Sequence, residues 1–358
     1  MVNGTESGAS RASSTGISAQ ARLARRLTDD IRHSADLALF ADAAPTRWTD
    51  ALLAETRFHL AGTMNAVEMA IRLEVSEGDI EVRLSSLPQP WCGPALERQV
   101  DLLTPELLAH YRLRGALSVV QRARTDPATS GMRDGLLVAG GEGPFSQALA
   151  ALALAEQRWS GPMLFDAPLR PDLPAEIFCD LAWTVAALLI IGLSRGQTPA
   201  DRDAMPAIVQ AVERIIARHD EGGGPFALAQ RCARALSGPE RQRIAPLALA
   251  EHRLLLFCAL VEGQTALQIE AVLESLVDGG SVARLAILRL MELDEAIAVQ
   301  LFEMLAPLTG GAVGQDIALM QFIEEYRQTS RDAAEGWLGR MRMPSALAAK
   351  LAIIDPAA

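Results

Sequence analysis

The sequence predicts an all-α protein, an array of packed antiparallel helices that is either HEAT-like or an irregular helical bundle. Apolar residues recur at helical spacing from about residue 20 to the C-terminus, whereas strand-like alternation is almost absent. Half of the residues are hydrophobic, and 27 glycines and 19 prolines interrupt the helical stretches. At 358 residues the chain exceeds the usual size of one compact core, so we expect two helical subdomains or an elongated array.

Composition divides the chain into four parts. Residues 1–18 consist mainly of Gly, Ser, Thr and Ala and are expected to form a disordered tail. Residues 19–160 form a predicted N-terminal helical subdomain, residues 161–174 a Pro-rich linker, and residues 175–358 a predicted C-terminal helical subdomain. The tail lacks the apolar segment of a signal peptide, and the cysteines form no paired motif, so we expect a cytoplasmic protein.

The first helices are predicted from their starts and their apolar stripes. One helix is expected over residues 19–41, and a second begins near Thr46 or Thr49. The second helix carries four apolar residues on one face, namely Leu60, Met64, Val67 and Ile71. Residues 80–84 alternate weakly in polarity, but we interpret them as helical.

A break separates these helices from the next. Residues 85–94 (SSLPQPWCGP) fit neither a helix nor a strand. A new helix is predicted from Thr104, because Pro105 then occupies the first helical position, where proline is favoured. The residues that share one side of this helix are Leu113, Ala116, Leu117 and Val120. Residues 126–133 are predicted to form a polar loop.

The middle of the chain contains the most apolar segment. The sequence GGEGP at residues 140–144 introduces a helix that ends at Ser160, and the Pro-rich linker follows. Residues 181–193 (LAWTVAALLIIGL) carry no charge, but this run is shorter than the about 20 residues that span a bilayer. We therefore predict a buried core helix and no membrane span.

The C-terminal part is predicted to consist of short helices. The first begins at Thr198 and Pro199 and is stopped by the glycines of residues 222–224. Further helices are expected over residues 226–236, 244–261, 266–277, 282–293, 295–305, 317–326 and 332–341, with a short tail helix after them. The segments LALAEQR (residues 152–158) and LALAEHR (residues 247–253) have nearly the same sequence. Such internal similarity is expected of an array of helix pairs.

Charge and lysine content exclude several classes of function. The net charge is −11, whereas nucleic-acid-binding domains present a basic face, so we expect no nucleic-acid partner. Lys350 is the only lysine and lies in an Ala-rich tail, so the chain has no lysine for a P-loop, a protein kinase or a Schiff-base site. The four cysteines are far apart and indicate neither a metal site nor a disulfide. No cofactor is expected.

The surroundings of His59 have a functional and a structural interpretation. Residues 57–67 (RFHLAGTMNAV) resemble the phosphoacceptor box of histidine kinases, in which a helical His is followed four residues later by Thr and then by Asn-Ala and an aliphatic residue. The resemblance implies phosphotransfer at His59. However, Leu60 stands where that family has an acid, the Asn-Ala pair is one residue too close, and no ATP-binding glycine boxes follow. The default interpretation is therefore a partly buried structural histidine.

Two other features have both a functional and a structural interpretation. The glycines of residues 140–143 precede a helix, whose N-terminus could bind phosphate, but they lack the spacing of a dinucleotide fingerprint, which favours a simple turn. Trp91 lies in a Pro-rich loop and is either a binding hot spot or, as we favour, a side chain that folds back over a helix junction. An enzyme site in the helical core around residues 179–193 is a third hypothesis.

Two segments, residues 67–72 (VEMAIR) and 102–108 (LLTPELL), resemble an uncharacterised alphaproteobacterial family of all-helical, HEAT-like proteins. In that family a helix similar to residues 67–72 precedes a segment similar to residues 102–108. The resemblance covers about residues 46–120. It implies a helical array and supplies no catalytic residue.

These observations predict a non-enzymatic scaffold or regulatory protein that binds a protein partner through a helical surface, because helical arrays build extended binding faces. The alternative is a histidine phosphotransfer or signalling adaptor related to two-component systems, with His59 as the phosphoacceptor. The sequence identifies no catalytic, cofactor-binding or metal-binding residue. A homodimer is compatible with apolar helix faces, which often pair with a symmetry mate.

Overall fold

The computed structural model describes residues 49–76, 78–125, 143–160, 169–170, 172–194, 204–278, 280–309 and 314–344, together with Leu347 and Lys350. Within these residues the chain forms fifteen α-helices and no strand, which confirms the all-α class. The helices are α1 (Asp50–Glu74), α2 (Gly78–Ser86), α3 (Cys92–Leu96), α4 (Pro105–Thr125), α5 (Pro144–Ser160), α6 (Ala175–Ser194), α7 (Ala204–Arg218), α8 (Pro225–Arg234), α9 (Gly238–Ala250), α10 (Leu254–Thr265), α11 (Ile269–Asp278), α12 (Gly280–Leu290), α13 (Glu295–Leu305), α14 (Gln315–Gln328) and α15 (Arg331–Met341).

Several predictions fall on other parts of the chain. The predicted tail and first helix, the polar loop, most of the linker and the predicted start at Thr198 lie outside the described residues, as does most of the short tail helix. Most of the glycine-rich turn at residues 140–143 lies outside them as well.

Two helix starts that were predicted from local signals are confirmed. Thr49 caps α1, since its side chain accepts the backbone N–H of Leu52 at 3.2 Å. The Thr104 hydroxyl accepts the N–H of Leu107 at 3.3 Å, and Pro105 is the first residue of α4. Residues 80–84 lie in α2, as interpreted.

The break predicted at residues 85–94 is shorter in the structure. α2 includes the first two of these residues, and α3 begins at Cys92. Pro94 lies in the first turn of α3, where a backbone N–H would have no partner within the helix, so proline loses no hydrogen bond there. Glu68 of α1 holds the start of α3, because its carboxylate accepts the backbone N–H groups of Trp91 at 3.1 Å and of Cys92 at 2.8 Å. A side chain from a separate helix therefore supplies the cap, which no local pattern indicates.

The single helix predicted over residues 244–261 is wrong, because two helices, α9 and α10, occupy this segment. His252 has a left-handed backbone conformation, with φ of 55°. Its N–H donates to the carbonyl of Leu249 at 2.9 Å, and the N–H of Arg253 donates to the carbonyl of Ala248 at 2.7 Å. These two bonds form a Schellman ending, which closes α9 without glycine or proline.

The echo between residues 152–158 and residues 247–253 does not mark equivalent structures. The first copy is helical throughout and lies in α5, whereas the second contains the end of α9 and its Schellman turn. Their ends do meet in space: Nη1 of Arg253 lies 2.8 Å from Oε2 of Glu156. This is an ion pair between two packed elements and not a repeat.

Helix α4 lies at the centre of the packing. It contacts α1, α5 and α6, and also α11, α13 and the short turn Ala306–Leu308 from the far end of the chain. Gly115 allows α1 to approach closely, since a Cβ at this position would lie 2.7 Å from the Thr56 hydroxyl. In a solenoid each repeat contacts only its neighbours. The described helices thus form an irregular bundle rather than a regular HEAT-like array.

The two predicted subdomains contact each other extensively. α1 packs against α6 and α7, and α5 packs against α8, so helices on both sides of the predicted linker meet. The buried apolar residues of the described chain form one continuous cluster. The division at residues 161–174 itself stays a prediction.

Candidate functional site

His59 lies in the interior, on the face of α1 that packs against α4. Its side chain is enclosed, with the whole residue only 4% exposed. Nε2 lies 2.7 Å from the Ser118 hydroxyl and 3.6 Å from Oε2 of Glu55. Burial, with the nearby charges of Arg114 and Arg122, lowers the pKa of His59 to about 3. A phosphoacceptor must be exposed on its helix, so this geometry supports the structural interpretation.

Buried neutral histidines are expected to make the fold sensitive to acid. Burial also lowers the pKa of His110 to about 3. Between pH 6.5 and 3 the histidines bind protons in the unfolded chain but not in the folded chain. The free energy of unfolding therefore decreases as the pH is lowered, by about 1.4 kcal/mol per pH unit for each histidine. We expect His59→Gln and His110→Phe each to reduce this slope in urea unfolding from about pH 7 to about pH 5.

The wild-type chain supplies the comparison for these variants. Burial raises the pKa values of Glu55 and Asp172, and such carboxyls act in the opposite direction, since they take up protons first in the folded chain. Their contribution is largely shared by wild type and variants. Identical slopes in all three proteins would contradict the prediction.

A second buried group of polar residues surrounds Arg114, which is 1% exposed. Its Nη2 donates to the backbone carbonyl of Trp159 at 3.0 Å, and its guanidinium carbon lies 5.2 Å from the centre of the Trp159 ring. Asp172 lies 3.7 Å away. Burial lowers the pKa of Arg114 to about 10, so it stays protonated at neutral pH. The group ties α4 to the end of α5 and to the segment before α6, which is a packing role.

Trp91 and three cysteines are also structural. Nε1 of Trp91 donates to the carbonyl of Leu188 at 3.1 Å, and its ring covers Gly192, where a Cβ would lie 2.6 Å from Nε1. This confirms that Trp91 folds back over a helix junction. The three fully enclosed thiols are Cys92, Cys232 and Cys258, and burial raises the pKa of each. Cys179 is half-buried, and no group of three or more potential metal ligands occurs among the described residues.

A surface pocket of about 490 Å³ lies between α12, α14 and α15. Two arginines line it, and both are already engaged. Arg289 lies over the Tyr326 ring at 3.9 Å and donates to the Tyr326 carbonyl at 2.5 Å. Arg331 pairs with Glu292 and Glu335. The pocket is therefore a polar junction between helices whose charges are balanced.

The outer face of α6 also carries exposed apolar side chains. Trp183 is 38% exposed and Ile191 45% exposed, with exposed Ala187 between them. Spacings of four residues place these three side chains on one face of the helix. We call these three residues the α6 stripe. Ile190 and Thr184 flank it and are half-buried.

Helix α6 was predicted to be buried, and this is only half correct. Its inner face packs against α1, α3, α4 and α7. Among the described helices it is the one that is long and apolar enough to cross a membrane, yet half of its most apolar window is buried. The pair α10–α11 meets the same criteria only as one span bent by 117°.

The rim of the α6 stripe is polar and charged. Glu176 and Asp180 lie on the same face towards the N-terminus, and Asp180 accepts a hydrogen bond from the Thr104 hydroxyl at 2.7 Å. At the other end, Arg83 of α2 donates to the carbonyl of Leu193 at 3.4 Å. The N-terminal end of the stripe is therefore acidic, and Arg83 contacts the C-terminal end of α6 through the Leu193 carbonyl. The sequence does not reveal the stripe, because both faces of α6 are apolar and periodicity does not show which face is covered.

Comparisons with known proteins give no match to this chain, neither to a family model nor to a curated protein nor to a solved structure. The resemblance to an all-helical family through residues 67–72 and 102–108 therefore stays a prediction.

Proposed function

We propose that this protein is a non-enzymatic helical scaffold that binds a protein partner, and that the α6 stripe is the surface that the partner covers. The observation that carries the proposal is an exposed row of three apolar side chains, two of them large, on a helix whose residues 181–193 carry no charge. Such helices are normally enclosed on every side. Apolar surface rimmed by polar residues is typical of interaction sites, and tryptophan is enriched at binding hot spots.

The other candidate residues make structural contacts inside the bundle, which supports a scaffold function. His59, Arg114 and Trp91 are each engaged inside the bundle, where they hold helices together. The bundle presents α6 on a firm base, because its inner face contacts several other helices. A rigid apolar face binds with little loss of conformational entropy.

A protein surface suits the stripe better than a lipid bilayer does. The exposed face of α6 has Asp180 and Glu176 in line with the stripe, so its apolar part is short. Charged side chains in line with the stripe are expensive to place in hydrocarbon, whereas they fit the polar rim of a protein interface.

Site-specific photo-cross-linking tests this proposal. Reagents that join lysines are unsuitable, because Lys350 is the only lysine. We expect p-benzoylphenylalanine at Ala187 to give a covalent adduct with a protein in the native cells, and Trp183→Ala in the same chain to reduce the adduct about 10-fold or more. The matched control is the same probe at Ala333, an exposed alanine on α15.

The control decides the interpretation. An adduct at Ala187 without one at Ala333 supports the proposed surface. Equal labelling at both positions, or no protein adduct at Ala187, would remove the α6 stripe as the binding surface.

A further inference from the structure

We propose that the interior of the bundle binds one ordered water molecule where α1, α4 and the segment before α6 meet, through Tyr111, Asp172 and Arg114. This site is separate from the α6 stripe, so the inference does not depend on the proposed function. Three observations support it: two buried oxygen atoms that lack a hydrogen-bond partner, an ion pair that is too long for a direct hydrogen bond, and the convergence of these groups on one guanidinium.

Two buried oxygen atoms at this site have no hydrogen-bond partner among the described residues. They are Oη of Tyr111, a residue that is 0% exposed, and Oδ2 of Asp172, a residue that is 5% exposed. Buried polar groups in native proteins are nearly always paired with protein or with ordered water, because an unpaired group costs free energy. Both oxygens are therefore expected to have a partner, and a hydroxyl and a carboxylate can share one water.

Thr63 of α1 does not supply the partner of the Tyr111 hydroxyl. Burial raises the pKa of Tyr111 to about 12, and Thr63 lies close enough to oppose this shift, but the two hydroxyls are outside hydrogen-bonding geometry. The Thr63 hydroxyl instead donates to the carbonyl of His59 at 2.9 Å and lies 3.4 Å from Nη1 of Arg114. At neutral pH Tyr111 keeps its proton, so its hydroxyl can donate to another acceptor.

The ion pair between Arg114 and Asp172 is too long for a direct hydrogen bond. Nη2 of Arg114 lies 3.7 Å from Oδ2 of Asp172, whereas an N–H···O bond spans about 2.7–3.2 Å. One N–H of Nη2 donates to the Trp159 carbonyl at 3.0 Å, which leaves the other N–H for a further acceptor. A bridging water is expected where a polar contact is longer than about 3.5 Å.

A single water can satisfy all three groups. Tyr111 and Asp172 both lie close enough to Arg114 to oppose the decrease in its pKa that burial causes, so the three groups share one site. The water oxygen accepts from Nη2 of Arg114 and from the Tyr111 hydroxyl, and the water donates to Oδ2 of Asp172. Buried waters typically make about three hydrogen bonds to groups that would otherwise be unpaired. This water links α4 to the segment that leads into α6.

Two other unpaired atoms in the interior lack this arrangement. Nε2 of His110 and Nε1 of Trp159 are also buried without a partner among the described residues. However, both rings pack against the ring of Phe226, at centroid distances of 5.8 Å and 5.4 Å. A buried water needs about two to four polar partners, and an aromatic ring beside it supplies none. The observations therefore support a water at Tyr111 and Asp172 only.

Removal of the Tyr111 hydroxyl tests whether it is paired. We expect Tyr111→Phe to raise the equilibrium constant of unfolding about 5-fold, because the water loses one of its three partners. Tyr326→Phe is the matched control, since Tyr326 is the only other tyrosine and its hydroxyl donates directly to the Leu293 carbonyl, so this variant should be destabilised as well. Urea unfolding followed by circular dichroism measures both. An unchanged or smaller constant for Tyr111→Phe would overturn the proposal, because a hydroxyl without a partner contributes no hydrogen bond that can be lost.

A crystal structure of the full wild-type chain distinguishes water from other partners. We expect one isolated density peak within hydrogen-bonding distance of Oη of Tyr111, Oδ2 of Asp172 and Nη2 of Arg114. A direct hydrogen bond from Tyr111 to Asp172 or to Thr63 would overturn the proposal, even if Tyr111→Phe is destabilised. Occupation of the same position by a side chain of residues 161–168 would overturn it as well.

Discussion

Replacement of Arg114 by methionine is expected to lower the free energy of unfolding by about 3–5 kcal/mol. The guanidinium is enclosed, and it donates to the carbonyl of Trp159 in the last turn of α5. The last carbonyls of a helix have no partner within it, so this one would be left buried without a donor. The same change would remove the cation that lies 3.7 Å from buried Asp172.

The double variant identifies the origin of this loss. Methionine approximates the aliphatic part of the arginine side chain, so lost packing is a small part of the effect. Arg114→Met with Asp172→Asn should be more stable than Arg114→Met alone, because no unpaired carboxylate remains in the interior. Urea unfolding followed by circular dichroism measures both. If the single variant were as stable as wild type, or if the second change gave no recovery, the assigned ion pair would be wrong.

Replacement of Glu68 by glutamine is expected to be nearly as harmful, with a loss of about 3–5 kcal/mol. Glu68 is 2% exposed, and one of its carboxylate oxygens lies 2.6 Å from Nη2 of Arg72. The same carboxylate accepts the N–H groups of Trp91 and Cys92 at the start of α3. Glutamine keeps the size but loses the charge, so Arg72 would stay buried without its counter-ion.

A local probe shows where the Glu68 variant is weakened. In a Cys179→Ser background, Cys92 should react with maleimide faster in Glu68→Gln than in wild type, because glutamine has one acceptor oxygen in place of the two that cap α3 and pair with Arg72. Glu97→Gln is the control, since Glu97 is exposed and lies just after α3; its stability should stay within about 0.5 kcal/mol of wild type. Unchanged Cys92 reactivity in a destabilised Glu68→Gln would place the weakness elsewhere.

Local signals predicted most of the helices. The helix at residues 295–305 has the predicted bounds, and the Asp294 side chain accepts the N–H of Ile297 at 2.9 Å to cap it. The turn at His252 was missed because its left-handed residue is a histidine and neither glycine nor proline marks it. Such an ending is decided by how α9 and α10 pack, which the local sequence does not contain.

The buried charges and the exposed stripe were beyond sequence reasoning for the same reason. A helical pattern places charges outside, yet Arg114 and Glu68 lie inside, because partners from other helices compensate them. The α6 stripe is the reverse case, in which apolar residues lie outside. Periodicity shows which faces a helix has, whereas burial depends on the neighbours that the fold provides.

The central position of α4 has a consequence for synthesis of the chain on the ribosome. Its surface is completed by α11, α13 and the turn Ala306–Leu308, which emerge long after α4 itself. At about 5–20 residues per second, this wait is on the order of 10–40 s. During that time the nascent chain displays apolar surface that has no covering segment yet. Arg112 of α4 pairs with Asp278 at the end of α11, so this ion pair forms only when the later helix has left the exit tunnel.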